Sequence, residues 1–234
     1  YGGSHPAMPY SISWANSLFE DNAEFGLGIK MGDILQKEKL IHIFENSNLS
    51  EENKELVDNW INNDYDLESS KKLINNFDFN EAIKAERLKK YILPKTTWII
   101  GGDGWAYDIG FGGLDHVMAS GEDVNVLVLD TEVYSNTGGQ KSKSTRSGAT
   151  AKFASSGKTG TKKDLARIFM SYDNVYVASI SLGGNMQQTI KALEEAEKHK
   201  GPSIVIAYAP CITHGIKSGM KNSIKEEKLA VESG

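Results

Sequence analysis

The sequence predicts an α/β protein: a doubly wound, mostly parallel sheet with flanking helices and a helical insertion. Short apolar runs alternate with helical patterns from Trp98 onwards, as in sheets built from strand–helix–strand units. These runs carry few charges, which is typical of strands buried on both faces. Residues 38–93 are rich in Asn, Lys and Glu and contain no Gly or Pro. That segment therefore predicts helices alone, inserted before an α/β core at residues 94–234.

The N-terminal part of the chain is predicted to be helical after a Gly/Pro-rich start. Apolar residues at helical intervals predict a helix from Trp14 to Phe25, which Gly26 and Gly28 would end. Within the insertion, three helices are expected: one capped by Ser50, one at Leu67–Phe77, and one at Asn80–Ile92 capped by Asn80, with Pro94 closing the segment.

The core is predicted to contain four strands. They are expected at Trp98–Gly101, Val124–Asp130, Val175–Ser181 and Ser203–Ala209. A Gly-rich helix should open after Gly104, and a short helix should cover residues 164–172. A further helix should run from Asn185 to a stop at Gly201 and Pro202. This alternation favours right-handed crossovers in a parallel sheet.

Bulk properties narrow the class of protein. The chain has 234 residues and a net charge of −5, which argues against a nucleic-acid-binding surface. It contains no run of about 18 apolar residues and no signal peptide, so no membrane association is expected. The single cysteine fits a reducing, cytoplasmic setting. Because the chain begins YGGSHPAMPY rather than with Met, we expect it to be a piece of a longer polypeptide.

Polar groups follow two neighbouring strands of the predicted sheet. Asp103 lies between Gly102 and Gly104 at the first strand end, and Thr131 to Asn136 follow the second. The carboxyl ends of parallel strands meet in one crevice, and a helix opening there favours a phosphate. An Asp beside a diphosphate needs a cation, and Mg²⁺ prefers oxygen ligands. We therefore predict a Mg²⁺ site from the Asp103 carboxylate, the Thr131 hydroxyl and the Val133 carbonyl; for Gly-Asp-Gly alone, an ordinary tight turn is the alternative.

Asp-Gly followed about thirty residues later by Asn136 resembles the thiamine diphosphate (TPP) signature. The longer text GDGWAYDIGFGGLDHVMASGEDVNVLVLDTEVYSNTGGQ resembles the C-terminal TPP-binding domain of pyruvate:ferredoxin (flavodoxin) oxidoreductases. Two further segments resemble the same family: SWANSLFEDNAEFGLG at residues 13–28 and IVIAYAPCITHG at residues 204–215. The resemblance implies that residues 1–234 form one TPP-binding domain, with the TPP-binding fold, from a larger enzyme.

The resemblance also implies roles for particular residues. Those expected to line the cofactor are Gly102, Asp103, Gly104, Trp105, Thr131, Glu132, Val133, Tyr134, Ser135 and Asn136. Asn136 is expected close to the reacting carbon and the substrate, as the catalytic residue of this chain. The family places a [4Fe–4S] cluster nearby, and Cys211 matches one of its thiolate ligands. A lone cysteine is otherwise most often a small buried hydrophobe, and that alternative stays open.

The implied activity is oxidative decarboxylation of pyruvate to acetyl-CoA, with electrons passing through [4Fe–4S] clusters to ferredoxin or flavodoxin. The implied partners are the remaining domains of the enzyme, pyruvate, coenzyme A and the electron carrier, in a homodimer of the full-length enzyme. Three of the four cluster ligands are absent, so the chain alone is expected to be inactive.

Two other kinds of protein compete with this interpretation. One is a Mg²⁺-dependent nucleotide or phosphate-binding module without a redox role, although the chain lacks a Gly-x-Gly-x-x-Gly opening. The other is a structural subunit with an inert cysteine. The segment Thr137–Lys163 contains seven basic residues and no acidic one. It is expected to be either a cationic rim for anionic partners or a solvated flexible loop.

Overall fold

The computed structural model describes residues 20–214, 216–217 and 219–233. Predictions for residues 1–19, including the first half of the Trp14–Phe25 helix, lie outside the described residues. The chain divides into two compact units. One contains the residues up to Leu27 together with those from Thr97 onwards, and the other is Gly28–Thr96.

The first unit is built on a four-stranded, fully parallel sheet. In chain order its strands are β1 (Trp98–Gly102), β2 (Asn125–Asp130), β5 (Tyr176–Ile180) and β6 (Ser203–Tyr208), and a separate hairpin joins β3 (Val133–Tyr134) to β4 (Gln140–Lys141). The spatial order is β1-β2-β6-β5, with Trp98 beside Asn125 and Asn125 beside Ser203. All four predicted strands are confirmed to within a residue or two at each end.

Helices cover both faces of this sheet. The unit's helices after the first strand are α5 (Phe111–Ala119), α6 (Leu165–Phe169), α7 (Met186–Lys198) and α8 (Ser223–Ser233). Leu114 of α5 and Phe169 of α6 pack in one buried cluster with Val126 and Ile204. Ala192 and Ala196 of α7 pack in another with Val205. Adjacent residues of β6 thus point to opposite layers, and the predicted doubly wound α/β fold is confirmed.

The Gly28–Thr96 unit has a helical core of its own. Its complete helices are α2 (Glu51–Asn62), α3 (Leu67–Asn76) and α4 (Ile83–Glu86), with 3₁₀ turns at Phe79–Ala82 and Lys89–Tyr91. The predicted cap is confirmed, because the Ser50 side chain accepts a hydrogen bond from the Asn53 amide. The Trp60 side chain is fully buried, and its Nε1 donates to Ser70 Oγ and to the Ile92 carbonyl.

The predicted single helix Asn80–Ile92 is wrong. The segment is broken into short turns, and its first cap is Asp78, whose side chain accepts from the Asn80 amide. Ala82, Ala85 and Leu88 recur every third residue and all pack in the helical core. That spacing does not follow the 3.6-residue repeat of one long α-helix, and the segment is divided into two 3₁₀ turns on either side of the short helix α4.

The predicted helix stop at Gly26 and Gly28 is also wrong. Helix α1 (Asn22–Glu45) continues through both glycines. A Cβ placed on Gly26 would lie 2.3 Å from Ile99 Cγ1, so the absent side chain allows the helix to approach β1. No helix within the described part of the chain is long and apolar enough to cross a membrane.

Candidate functional site

The first part of the site is the carboxyl end of β1. The strand stops at Gly102, Asp103 follows in a helical conformation, and a π-helical turn covers Gly104–Ile109 before α5. Gly104 lies under the ring of Tyr134, where a Cβ would come within 2.5 Å of the ring carbon Cδ1. The Trp105 side chain is buried in the apolar core.

The second part is the segment that leaves β2. The Thr131 hydroxyl lies 2.8 Å from Asp103 Oδ1, 2.9 Å from the Val133 carbonyl oxygen and 2.7 Å from Ser135 Oγ. One hydroxyl carries a single proton, so it cannot donate to all of these oxygens at once. The three residues proposed from the sequence as Mg²⁺ ligands are therefore brought together around one point.

Asp103 is the buried acid of this cluster, with 1% of its surface exposed. Burial raises the pKa of its carboxyl to about 6, although hydrogen bonds from Ser142 and Thr131 act to lower it. Among the described residues, no Lys, Arg or His forms an ion pair with Asp103. A buried carboxylate without a countercharge favours either a proton or a bound cation.

Ser142 is a site residue that the sequence analysis missed. Its hydroxyl donates to Asp103 Oδ2 at 2.6 Å and accepts from the Ser144 amide at 3.0 Å. Its side chain is buried in a loop 39 positions from Asp103. The only signal was the Ser/Thr-rich text SKSTRS after the second strand, which has no characteristic spacing.

The cluster opens into a cavity of about 290 Å³ between the two strand ends. Its wall is formed by Gly102, Asp103, Gly104, Leu129, Thr131, Val133, Tyr134, Ser135, Asn136 and Thr137. The structure thus gathers eight of the ten residues predicted to line the cofactor, including Asn136. The other two, Trp105 and Glu132, do not line this cavity.

Glu132 faces the opposite side of the chain. Its side chain borders a separate cavity of about 860 Å³, together with Asp130, Arg146 and Lys162. Its Oε1 lies 2.9 Å from Arg146 Nε and 3.0 Å from Lys162 Nζ. Burial would raise the pKa of Glu132, but Lys162 and Arg146 outweigh that effect and lower it. The acid is therefore held as a carboxylate.

The basic segment Thr137–Lys163 is neither a free cationic rim nor a solvated loop. Besides its contact with Glu132, Lys162 binds Asp130 Oδ2 at 2.7 Å. The Lys158 ammonium donates to the carbonyls of Lys143, Thr145 and Thr161. Several of its positive charges are thus used to fold the segment and to neutralise acids that follow β2. The two alternatives in the sequence analysis both overlooked these acids, which lie outside the segment.

Cys211 lies beyond the end of β6, half-buried, and 3.0 Å from Thr213 Oγ1. Burial tends to raise the pKa of its thiol, but hydrogen bonds with Ser135 and Thr213 lower it overall. Ser135 also contacts Thr131, so the cysteine is close to the oxygen cluster. Within the described ranges, no three His, Cys, Asp or Glu side chains are grouped to hold a metal by themselves.

Comparisons with known proteins give the following matches. A family model described as "Thiamine pyrophosphate enzyme, C-terminal TPP binding domain" matches residues 56–207. Pyruvate-flavodoxin oxidoreductase of Klebsiella pneumoniae is 47% identical over 253 residues, covering 100% of this chain and 22% of that protein. Pyruvate:ferredoxin oxidoreductase of Moorella thermoacetica is 47% identical over 264 residues, with the same coverage. The chain thus spans about a fifth of the length of these relatives.

A solved structure gives a looser match. It is 2-oxoglutarate:ferredoxin oxidoreductase from Magnetococcus marinus, with 2-oxoglutarate, coenzyme A and succinyl-CoA bound. It shares 23% sequence identity at a TM-score of 0.47, covering 53% of this chain and 43% of that chain.

Proposed function

Because this chain belongs to the thiamine pyrophosphate enzyme family, as its C-terminal TPP-binding domain, we propose that it binds TPP together with Mg²⁺ at the carboxyl ends of β1 and β2. The resemblance identified in the sequence is confirmed by the family match and by the two 47% identical relatives. The proposed metal ligands are Asp103, the Thr131 hydroxyl and the Val133 carbonyl.

The observation that carries this proposal is the crowded group of oxygens around Thr131. The Asp103 carboxylate, the Val133 carbonyl and the Ser135 hydroxyl each have an oxygen within 3 Å of the Thr131 hydroxyl. This all-oxygen set fits Mg²⁺, which also keeps positions for phosphate oxygens and water. One carboxylate alone is a weak magnesium site, so the diphosphate is expected to complete it.

The remaining residues have roles that follow from their placement. Gly102 and Gly104 line the 290 Å³ cavity through their backbones beside the helical turn, and Tyr134, Ser135 and Asn136 complete its wall. We propose Asn136 as the residue nearest the reacting carbon. Trp105 and Glu132 do not line this cavity, and their side chains lie in the apolar core and in the separate 860 Å³ cavity.

For the whole enzyme we propose oxidative decarboxylation of pyruvate to acetyl-CoA, with electrons passed to ferredoxin or flavodoxin. The names and the 47% identity of the relatives support this reaction. When bound, TPP supplies a nucleophilic carbon that adds to a 2-oxo acid and retains the electrons left by departing CO₂. Cys211 is the proposed ligand from this chain to a [4Fe–4S] cluster, whose other ligands would come from outside it. The homodimer and the cytoplasmic location are part of the same proposal; the single cysteine supports the latter.

The test is calorimetric titration of the chain with TPP, with and without Mg²⁺, repeated on Asp103→Ala. We expect TPP binding that requires Mg²⁺ and that falls at least about 100-fold in the variant, because the only carboxylate of the site is lost. Asp173→Ala, an exposed acid before β5, is the matched control and should bind as the unmodified chain does.

The competing function is a nucleotide-binding module, and the same titration with ATP separates the two. Preference for ATP over TPP would replace the proposed function with that module. Equal TPP binding by Asp103→Ala and the unmodified chain would remove Asp103 from the site.

A further inference from the structure

Glu132 has two features that the proposed site does not use directly. Its φ of +62° lies in the left-handed region, which is unfavourable for a residue that carries a Cβ. Its side chain, 7% exposed, points away from the cavity that contains Asp103. A residue in such a conformation persists only where surrounding contacts hold it there.

Most of those contacts come from the folded basic segment; from outside it, His214 Nε2 lies 4.0 Å from Glu132 Oε2. Arg146 and Lys162 both bind the Glu132 carboxylate, at 2.9 Å and 3.0 Å. The Thr145 hydroxyl donates to the Glu132 carbonyl oxygen. Lys162 also binds Asp130, two residues earlier, at 2.7 Å. Asp130 and Glu132, the residues on either side of Thr131, are therefore held by side chains that lie on the face of the backbone opposite Asp103.

The left-handed residue determines where its neighbours point. In an extended chain, the Cα atoms of residues i and i+2 are separated by about 6.6 Å along the strand. Here the Thr131 hydroxyl and the Val133 carbonyl oxygen approach to 2.9 Å. Because only Glu132 lies between them, its conformation brings these two oxygens to the same side of the chain.

We propose that Glu132 is a positioning residue for the metal site. Its carboxylate, anchored to Lys162 and Arg146, holds the left-handed turn that directs the Thr131 hydroxyl and the Val133 carbonyl towards Asp103. This inference rests on the proposed TPP and Mg²⁺ function and assigns Glu132 an indirect role, since its side chain acts from the far face of the backbone.

The test compares Glu132→Gly with Glu132→Ala in the full 234-residue chain. Both variants lose the carboxylate, but only Gly adopts a positive φ without the Cβ penalty. The quantity measured is the Mg²⁺ concentration at half-maximal TPP binding, with thermal unfolding as a check on folding. We expect this concentration to rise more than about tenfold in Glu132→Ala. The rise in Glu132→Gly should be at least about fivefold smaller than the rise in Glu132→Ala. Equal shifts would overturn the proposal, because a side chain that merely touches the ligand is lost equally in both.

Two further variants keep the result interpretable if Glu132→Ala unfolds. Arg146→Ala leaves Lys162 on Glu132 and should raise the Mg²⁺ requirement only about two- to fivefold. Lys143→Ala, in the same segment but paired with Asp108 at 3.4 Å, should leave it unchanged. A shift in Lys143→Ala as large as that in Arg146→Ala would point to general loosening of the segment and would contradict the proposal.

A second measurement separates this inference from the proposed function. If the unmodified chain binds no TPP with Mg²⁺, the proposed function fails, and amide hydrogen exchange at residues 131–135 tests Glu132 without ligand. Exchange there should be faster in Glu132→Ala than in Glu132→Gly. Identical exchange in the two variants would show that the turn does not depend on Glu132.

Discussion

Ser142 satisfies the oxygen of Asp103 that faces away from Thr131. The serine donates to Oδ2 while Thr131 is next to Oδ1, so both oxygens of this buried carboxylate have partners. A carboxylate whose orientation is fixed in this way can bind a cation without first paying to order its side chain. Ser142 therefore orients Asp103 for the proposed metal site, although it does not line the cavity itself.

The Ser142→Ala substitution should lower both stability and cofactor affinity. It removes the donor to Asp103 and the acceptor for the Ser144 amide, both buried, and should cost about 1–3 kcal/mol of unfolding free energy. TPP affinity at fixed Mg²⁺ should fall about tenfold. Denaturant unfolding and calorimetry measure the two effects.

Ser147→Ala is the control, because it removes an exposed hydroxyl of the same segment that donates to the Gly160 carbonyl. Its effect should stay within about 0.5 kcal/mol. If Ser142→Ala proves as mild as this control, the serine is not supporting Asp103.

For single residues, the sequence predicted the site residues that directly follow strands β1 and β2. It did not predict those that contact the site from a remote position in the chain. Asp103, Thr131 and Val133 could be placed together because parallel strands bring their carboxyl ends to one edge. Ser142 could not, since its contact depends on how a 27-residue polar segment folds back on itself. The direction of the Glu132 side chain was equally hidden, because it depends on a positive φ that no sequence pattern marks for Glu.

At the scale of elements, helix α1 shows that a glycine can either end a helix or allow the helix to pack closely against a strand. By propensity alone, Gly26 predicts a helix stop. Its real function is to let the helix approach Ile99 of β1. Propensity is a local quantity, whereas close approach depends on the tertiary partner, and only the structure supplies that partner. The same reasoning applies to residues 80–92, where core packing replaced one helix with short turns.

Substituting Ala at Gly26 and at Gly28 isolates this packing effect. Both changes gain the same helix propensity, up to about 1 kcal/mol. At Gly28, which has no described atom within 4 Å of a new Cβ, the unfolding free energy should rise by that amount. At Gly26 the clash with Ile99 should instead lower it by about 1–3 kcal/mol. Denaturant unfolding of the two variants side by side measures the difference, and equal values would mean that α1 does not depend on the missing Cβ.

At the scale of the whole molecule, each of the two compact units has its own buried cluster. One is centred on the sheet and its covering helices, and the other on Trp60 with Leu73 and Phe77. Separate cores favour separate opening reactions, because each can lose its packing without exposing the other. The sequence suggested this division by a change of composition, although its expected limits of 38–93 were narrower than the observed Gly28–Thr96.

Trp60→Phe should weaken one unit and spare the other. It removes a buried N–H donor shared by Ser70 Oγ and the Ile92 carbonyl, together with part of an indole, which should cost about 2–4 kcal/mol of opening free energy. Native-state hydrogen exchange should become faster in α2 and α3 and stay unchanged in β1, β2 and β6.

Trp98→Phe is the corresponding control in the sheet unit. The indole of Trp98 donates to Glu197 Oε2 at 2.8 Å, and the substitution removes this hydrogen bond. It should affect β1 and leave α2 unchanged. Loss of protection throughout the chain in either variant would show that the two units open together.

The strand order has a consequence for synthesis on the ribosome. Every oxygen of the proposed site has been translated by residue 142, but β2 is flanked on its far side by β6, which ends at Tyr208. At about 5–20 residues per second, the nascent chain carries an open β2 edge for several seconds before its partner strand exists. An unpaired edge of an apolar strand is a site for mispairing between chains. A message that stalls within this interval should therefore yield a product that aggregates although all proposed Mg²⁺ ligands are present.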